Sequence, residues 1–143
     1  MLKRILVATD RSASADRAVT WAADMAGRYD AELLVLQVKL PGDPVTTEAT
    51  SELGRFAEQV AGRRGRARVV ISEEPATGIC DVADEEGVDV IVVGNVGMSG
   101  RKEFLLGNVS NRVSHNAGCT VVIVDTSSSP EKRGLGRIFK RGT

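Results

Sequence analysis

Five short aliphatic runs constrain this chain more than any other feature of it. They fall at residues 4–9, 31–40, 67–73, 88–93 and 120–124. Their apolar residues run on without alternating, as in Leu33-Leu34-Val35-Leu36, Val90-Ile91-Val92-Val93 and Val121-Val122-Ile123-Val124. Non-alternating runs rich in β-branched residues fit strands covered on both faces, as in a parallel sheet. Between the runs the apolar residues recur at helical spacing. Ala18, Trp21, Ala22, Met25 and Ala26 predict an amphipathic helix over 13–29, with Ser12 or Ser14 as its cap and Asp16 near its positive end. Trp21 reads as a core or edge anchor of that helix. Val45, Ala49, Leu53, Phe56, Ala57 and Val60 predict a second helix over 45–61, its first turn at Thr46, Thr47 and Glu48. Pro75 suits the start of a third, ended by Glu85, Glu86 and Gly87, and Val109 and Val113 mark a fourth over 108–116.

The resulting order is strand, helix, strand, helix, strand, helix, strand, glycine-rich loop, helix, strand. It predicts an α/β fold: a five-stranded parallel sheet with helices on both faces, Rossmann-like, joined by right-handed crossovers. Such sheets bind ligands beyond the carboxyl ends of their strands, where the strand order reverses. The segments there are Thr9-Asp10-Arg11-Ser12, residues 38–41 and residues 94–107. The first and third face each other if strand one lies beside strand four.

Composition narrows the function classes. At 143 residues the chain suits one domain, and its apolar and charged fractions, 42% and 27%, are those of a globular protein. Aromatics make up only 3%, which argues against a base-stacking platform for single-stranded nucleic acid. Nineteen basic residues balance nineteen acids, so no global field draws the chain to nucleic acid or an anionic membrane. The balance is uneven. Residues 127–143 hold Lys132, Arg133, Arg137, Lys140 and Arg141 against Glu131, a local charge of +4. The chain therefore divides into a domain at 1–126 and a flexible basic tail at 127–143, whose one apolar group is Leu135, Ile138 and Phe139. The basic turn from Gly62 to Arg66 reads as a solvated loop. Cys80 and Cys119 read as two small buried hydrophobes, with no metal site. No run reaches membrane-spanning length and no signal segment precedes the first strand, so a cytoplasmic protein is expected.

The glycines at 94, 97, 100 and 107 are the remaining signal. A buried strand that breaks into glycines before a helix start lets backbone N–H groups approach an anion. The loop is not a P-loop, because no Gly-Lys-Ser or Gly-Lys-Thr follows the strand, and it lacks the tight Gly-x-Gly pair of the dinucleotide fingerprint. His115, the single histidine, falls late in the fourth helix, away from the expected crevice. Asp10 is the one carboxylate placed for chemistry.

The longer pattern is more specific: Gly94, two residues, Gly97, nine residues, Gly107, then Asn108-Val109-Ser110. Together with Ala8-Thr9-Asp10, Ser12, Gln37-Val38 and the closing His115-Asn116-Ala117-Gly118-Cys119-Thr120-Val121, it resembles the universal stress protein family from residue 3 to about 126. The resemblance implies a stress-response regulatory protein, usually a homodimer joined along the last strand. In the nucleotide-binding branch it implies ATP, with Mg as a companion. Carried over, Ala8, Thr9 and Asp10 would line the adenosine, and Val38 and Val93 would contact the base. Gly94, Gly97 and Gly107 would admit the phosphates, while Asn108 and Val109 would donate N–H groups. Three residues depart from the family pattern. Asn108 stands for a usual serine or threonine, with Ser110 as a substitute hydroxyl. Arg11 stands for a usual glycine, where it would crowd the site or pair with phosphate. Met98 stands for a frequent basic residue, for which Arg101 or Lys102 would compensate. Gly94-Asn95-Val96-Gly97 resembles a branch that prefers cyclic AMP. The expectation is thus an adenine nucleotide, ATP first, with AMP or cyclic AMP as alternatives and a nucleotide-free dimeric scaffold as the rival reading. No enzyme beyond slow ATP hydrolysis is expected, and neither a nucleic acid partner nor a membrane span.

Overall fold

The computed structural model describes residues 2–95 and 106–125. β1 (Arg4–Ala8) is the central strand of a five-stranded parallel sheet. β2 (Glu32–Lys39) and β3 (Gly65–Ile71) extend the sheet to one side, and β4 (Val90–Gly94) and β5 (Thr120–Val124) to the other. The strand order is β3-β2-β1-β4-β5, so the chain reverses direction across the sheet between β1 and β4. Helices α1 (Ala13–Tyr29) and α2 (Thr47–Ala61) cover one face; α3 (Pro75–Glu86) and α4 (Leu106–Asn116) cover the other.

The absence of alternation in the strands has the expected cause. Ile5 and Val7 face α1 and α2, Leu6 and Ala8 face α3 and α4, and all four are buried. On the α1 side the helix presents Ala18, Ala22 and Ala26, each fully enclosed. Small side chains let this helix lie close to the sheet, which is how a chain with few aromatics fills its interior. Each buried Val, Leu or Ile contributes about 1.5–3 kcal/mol. These side chains therefore outweigh the surface ion pairs, worth about 0–1 kcal/mol apiece.

Element boundaries follow local chemistry. The Ser12 hydroxyl accepts from Ala15 N at 3.1 Å and starts α1. Asp30 ends it in the left-handed region at φ 53°. Thr46 caps α2, accepting from Ala49 N at 3.0 Å, so this helix starts two residues later than its apolar periodicity predicts. β4 also starts two residues late. Gly87 adopts φ 65° and Val88 N donates back to Ala83 O at 3.0 Å, so Val88 closes the end of α3 before any strand begins.

The basic turn is more ordered than a solvated loop. A 3₁₀ turn at Gly62–Arg64 leads directly into β3, which begins and ends two residues ahead of expectation. Arg64 pairs with Asp30 at 2.6 Å; Arg66 bridges Glu32 and Glu86, and Arg68 bridges Glu85 and Glu86. The hydrogen bond from Arg66 holds the Glu86 carboxyl below its ordinary range. Cys80 is buried, whereas Cys119 is only half-buried; both are free thiols.

Two contacts carry predictions. A β-carbon on Gly65 would lie 2.2 Å from the Ala57 carbonyl oxygen, a backbone atom unable to rotate away. Gly65→Ala is expected to lower stability by about 3 kcal/mol in urea unfolding, at the upper end of overpacking costs. Asp89 accepts from both Lys3 N (2.8 Å) and Arg4 N (2.9 Å), which depresses its pKa below the ordinary 3.8. A depressed carboxylate contributes stability above its unfolded pKa and loses it as pH falls through the folded one. Wild type should therefore exceed Asp89→Ala in stability at neutral pH, and the gap should shrink below the ordinary aspartate range. A pH-independent gap would contradict this.

Candidate functional site

β1 and β4 pair in the register Ile5–Val90, Leu6–Ile91 and Val7–Val92. The loop after β1 and the end of β4 therefore face each other at the carboxyl end of the sheet, where the strand order reverses. This is the strand adjacency on which the expected crevice depends.

The β1 side is a tightly hydrogen-bonded turn. Thr9 N continues the ladder by donating to Leu36 O at 2.9 Å. The Thr9 hydroxyl, on a residue only 1% exposed, accepts from Arg11 N at 2.9 Å. Asp10 Oδ1 accepts from Ser12 N at 2.9 Å. Three polar side chains, Thr9, Asp10 and Ser12, thus each accept from a backbone N–H at the entry to α1. Asp10 is half-buried at the rim.

Arg11, within this turn, adopts the left-handed region with φ 69°. A left-handed conformation costs a non-glycine residue about 1–2 kcal/mol, which is a physical reason for a glycine here. The strain is offset by two contacts. The Arg11 guanidinium pairs with Asp16 at 2.7 Å and lies 3.5 Å from the centre of the Phe56 ring. The side chain is thus turned toward α1 and α2. Burial raises the Asp16 pKa, opposed by the Arg11 charge and hydrogen bond. Arg11 also borders a cavity of about 210 Å³ beside the crevice, together with Gln37, Lys39, Ala49 and Glu52. Sequence spacing gave no sign of the Arg11, Asp16 and Phe56 cluster, because its members come from a loop and two helices.

The residues packed beneath this end of the sheet are apolar. Ala8, Val38, Val93 and Val109 belong to one buried cluster, although they come from β1, β2, β4 and α4. Val93 is fully enclosed, and Val38 and Val109 are 8% and 3% exposed. Gly94 is buried at the end of β4. The next residue, Asn95, is tied to β5: its N–H donates to Val124 O at 3.0 Å and its side-chain amide reaches Asp125 at 3.4 Å. The backbone of Gly107, Asn108 and Val109 forms the first turn of α4. Ser110, on the next turn, is 4% exposed. Gly97, Gly100, Met98, Arg101 and Lys102 lie outside the described residues, as does the tail. His115 is exposed in the last turn of α4. Among the described residues no three His, Cys, Asp or Glu side chains cluster as metal ligands, and no helix is long and apolar enough to cross a membrane.

With this geometry in place, comparison with known proteins is decisive about kinship. The sequence pattern of the universal stress protein family matches residues 1–125. This chain belongs to the universal stress protein family. It is similar to the universal stress protein YxiE of Bacillus subtilis, at 34% identity over 87% of this chain and 99% of the relative. It is likewise similar to the universal stress protein Rv1636 of Mycobacterium tuberculosis, at 32% identity over 87% of this chain and 97% of that one. Among solved structures, a universal stress protein in complex with cAMP superposes with a TM-score of 0.69 at 32% identity, covering 88% of this chain and 98% of that chain. The five-stranded parallel α/β architecture is the one these family structures share.

Arg11 supplies a test that separates strain from contact. Arg11→Ala keeps the strained backbone and loses both the ion pair and the ring contact. Arg11→Gly loses the same contacts and relieves the strain. The glycine variant is expected to be more stable than the alanine variant by about 1 kcal/mol in thermal or urea unfolding. Equal stability would show that the loop relaxes out of the left-handed conformation.

Proposed function

We propose that this universal stress protein binds an adenine nucleotide in the crevice between the β1 loop and the end of β4, and that its output is regulatory. The observation that carries the reading is the switch point itself. Ala8, Thr9 and Asp10 are fixed by hydrogen bonds opposite Gly94, above an apolar floor that includes Val38, Val93 and Val109. Adenosine would lie against the β1 side, with Asp10 as acceptor for a ribose hydroxyl or base N–H. Phosphate would meet the backbone of Gly94, Gly97 and Gly107 and the N–H groups of Asn108 and Val109 at the start of α4. The domain responsible would be residues 1–126.

ATP, with Mg held mainly by the phosphates, is the first ligand of this reading. Cyclic AMP is the second. It is favoured by the relative solved with cAMP and by the Gly94-Asn95-Val96-Gly97 sequence, and AMP completes the set. Arg11 does not decide between them, since its charge is directed to Asp16 and Phe56. Hydrolysis would be slow at most, because His115 sits at the end of α4 remote from the crevice and Asp10 is committed to its turn. The protein would act in the cytoplasm as a homodimer joined along β5. That strand is hydrogen-bonded to β4 on one side and forms an edge of the sheet.

Isothermal titration calorimetry with ATP, AMP and cyclic AMP tests this reading. At least one should bind at a stoichiometry of one per chain, and silence from all three at millimolar concentration would end it. Asp10→Asn keeps the oxygen that accepts from Ser12 N while removing the charge. It should weaken the ligand that binds by about tenfold or more, the cost of a charge-assisted hydrogen bond. Undiminished affinity would remove Asp10 from the site.

A further inference from the structure

A second concavity lies away from the crevice, on the α1 face of the sheet beside the edge strand. It measures about 550 Å³ and is lined by Arg17, Thr20 and Trp21 from α1 and by Val122, Val124 and Asp125 at β5, with Ile123 at its border. Trp21 is 38% exposed, a high exposure for an indole on a helix packed against the sheet, and Ile123 at the border is 45% exposed. Val122 and Val124 are only partly buried against the α1 and α2 core. The nucleotide reading does not use this groove.

We propose that the groove seats this chain's own carboxy-terminal segment, through Leu135, Ile138 and Phe139. Three observations name the occupant. The first is continuity. Asp125 lines the groove, so the chain that follows it starts from the groove itself. Leu135 is ten Cα-to-Cα steps beyond Asp125. These ten steps span at most about 33–36 Å when extended, against roughly 17 Å for a five-residue strand such as β5. The tail can therefore double back along the full groove.

The second observation is chemical fit. Residues 127–143 contain one apolar group, and its spacing of three and then one residue places Leu135, Ile138 and Phe139 on one side of a helical turn. An aromatic ring and two branched aliphatic side chains match a trough made of an indole and valines. The third observation is charge. The tail carries +4 while the whole chain is neutral, so the remainder carries −4. A basic tail is drawn to the body it is tethered to, and the tether replaces a bimolecular encounter with a local one. The side chains of the tail would fill the face groove, while the outer backbone edge of β5 stays open to pairing with a second copy.

Trp21 is the sole tryptophan, which gives the test a built-in probe. The full-length protein and a full-length Leu135→Ser, Ile138→Ser, Phe139→Ser variant are compared by tryptophan emission and acrylamide quenching, over a range of protein concentrations. Far-UV circular dichroism checks that both are folded. The proposal expects the variant to show a red-shifted emission and a larger quenching constant at every concentration. It also expects a synthetic peptide of residues 131–143, added at millimolar concentration, to restore the shielded spectrum in the variant. A peptide with the three serines should not. Identical quenching in both proteins would overturn the proposal. So would shielding that rises with protein concentration equally in both, because a second copy would then occupy the groove. Failure of the native peptide to restore shielding would also count against it.

Discussion

β4 lies against β1 with its first residues held by one carboxylate. Asp89 accepts from the Lys3 and Arg4 backbone, and its own N–H donates to Arg4 O at 2.9 Å. These bonds fix where the pairing starts, and the ladder fixes everything above it. Val7 is opposite Val92, so the chain leaves β1 at Thr9 close to where β4 reaches Gly94. The loop after β1 and the end of β4 are adjacent because of events at the other end of the strands. No residue of the crevice could establish this alone, since parallel strands are never joined by a local turn.

The sheet tolerates this arrangement because its two faces are packed independently. Alternate residues of β1, β2 and β4 feed two separate clusters, one with α1 and α2 and one with α3 and α4. The crevice floor belongs to the second cluster, whereas the Arg11 contacts belong to the first. A polar loop is thereby anchored on one side of the sheet and an apolar floor on the other. The nucleotide reading needs both, because adenine offers a flat apolar face and a polar edge.

Much of this was legible in the chain itself. The bounds of α1 and β5 agree with their residue patterns, because Ser12 and the left-handed Asp30 punctuate one and an uninterrupted aliphatic run defines the other. The β1–β4 adjacency could be posed from the sequence as a condition but not settled by it. Errors arose where a residue's type and its backbone role diverge. Val88 looks like strand and closes a helix. Gly65 and Arg66 look like loop and begin β3, because glycine permits close approach to α2 and the arginine charge is met by Glu32 and Glu86. Arg11 shows the same limit at the site. Its type suggested a phosphate partner, but the partners it has are set by tertiary packing. Gly97, at the heart of the glycine pattern, and the tail lie outside the described residues, so for them the sequence is the whole argument.

Phe56 and Ala57 are consecutive residues of α2. One carries the Arg11 guanidinium on its ring; the other receives Gly65 against its carbonyl. At these neighbouring positions the helix meets both the first loop of the crevice and the far edge strand, while Leu53, Val60 and Ala61 pack it on the sheet. Its first turn borders the cavity beside Arg11, while its last turn runs into β3. A substitution that displaced α2 at Ala57, such as a β-carbon on Gly65, would therefore also shift the ring on which Arg11 rests, so packing at the outermost strand is felt at the loop after β1.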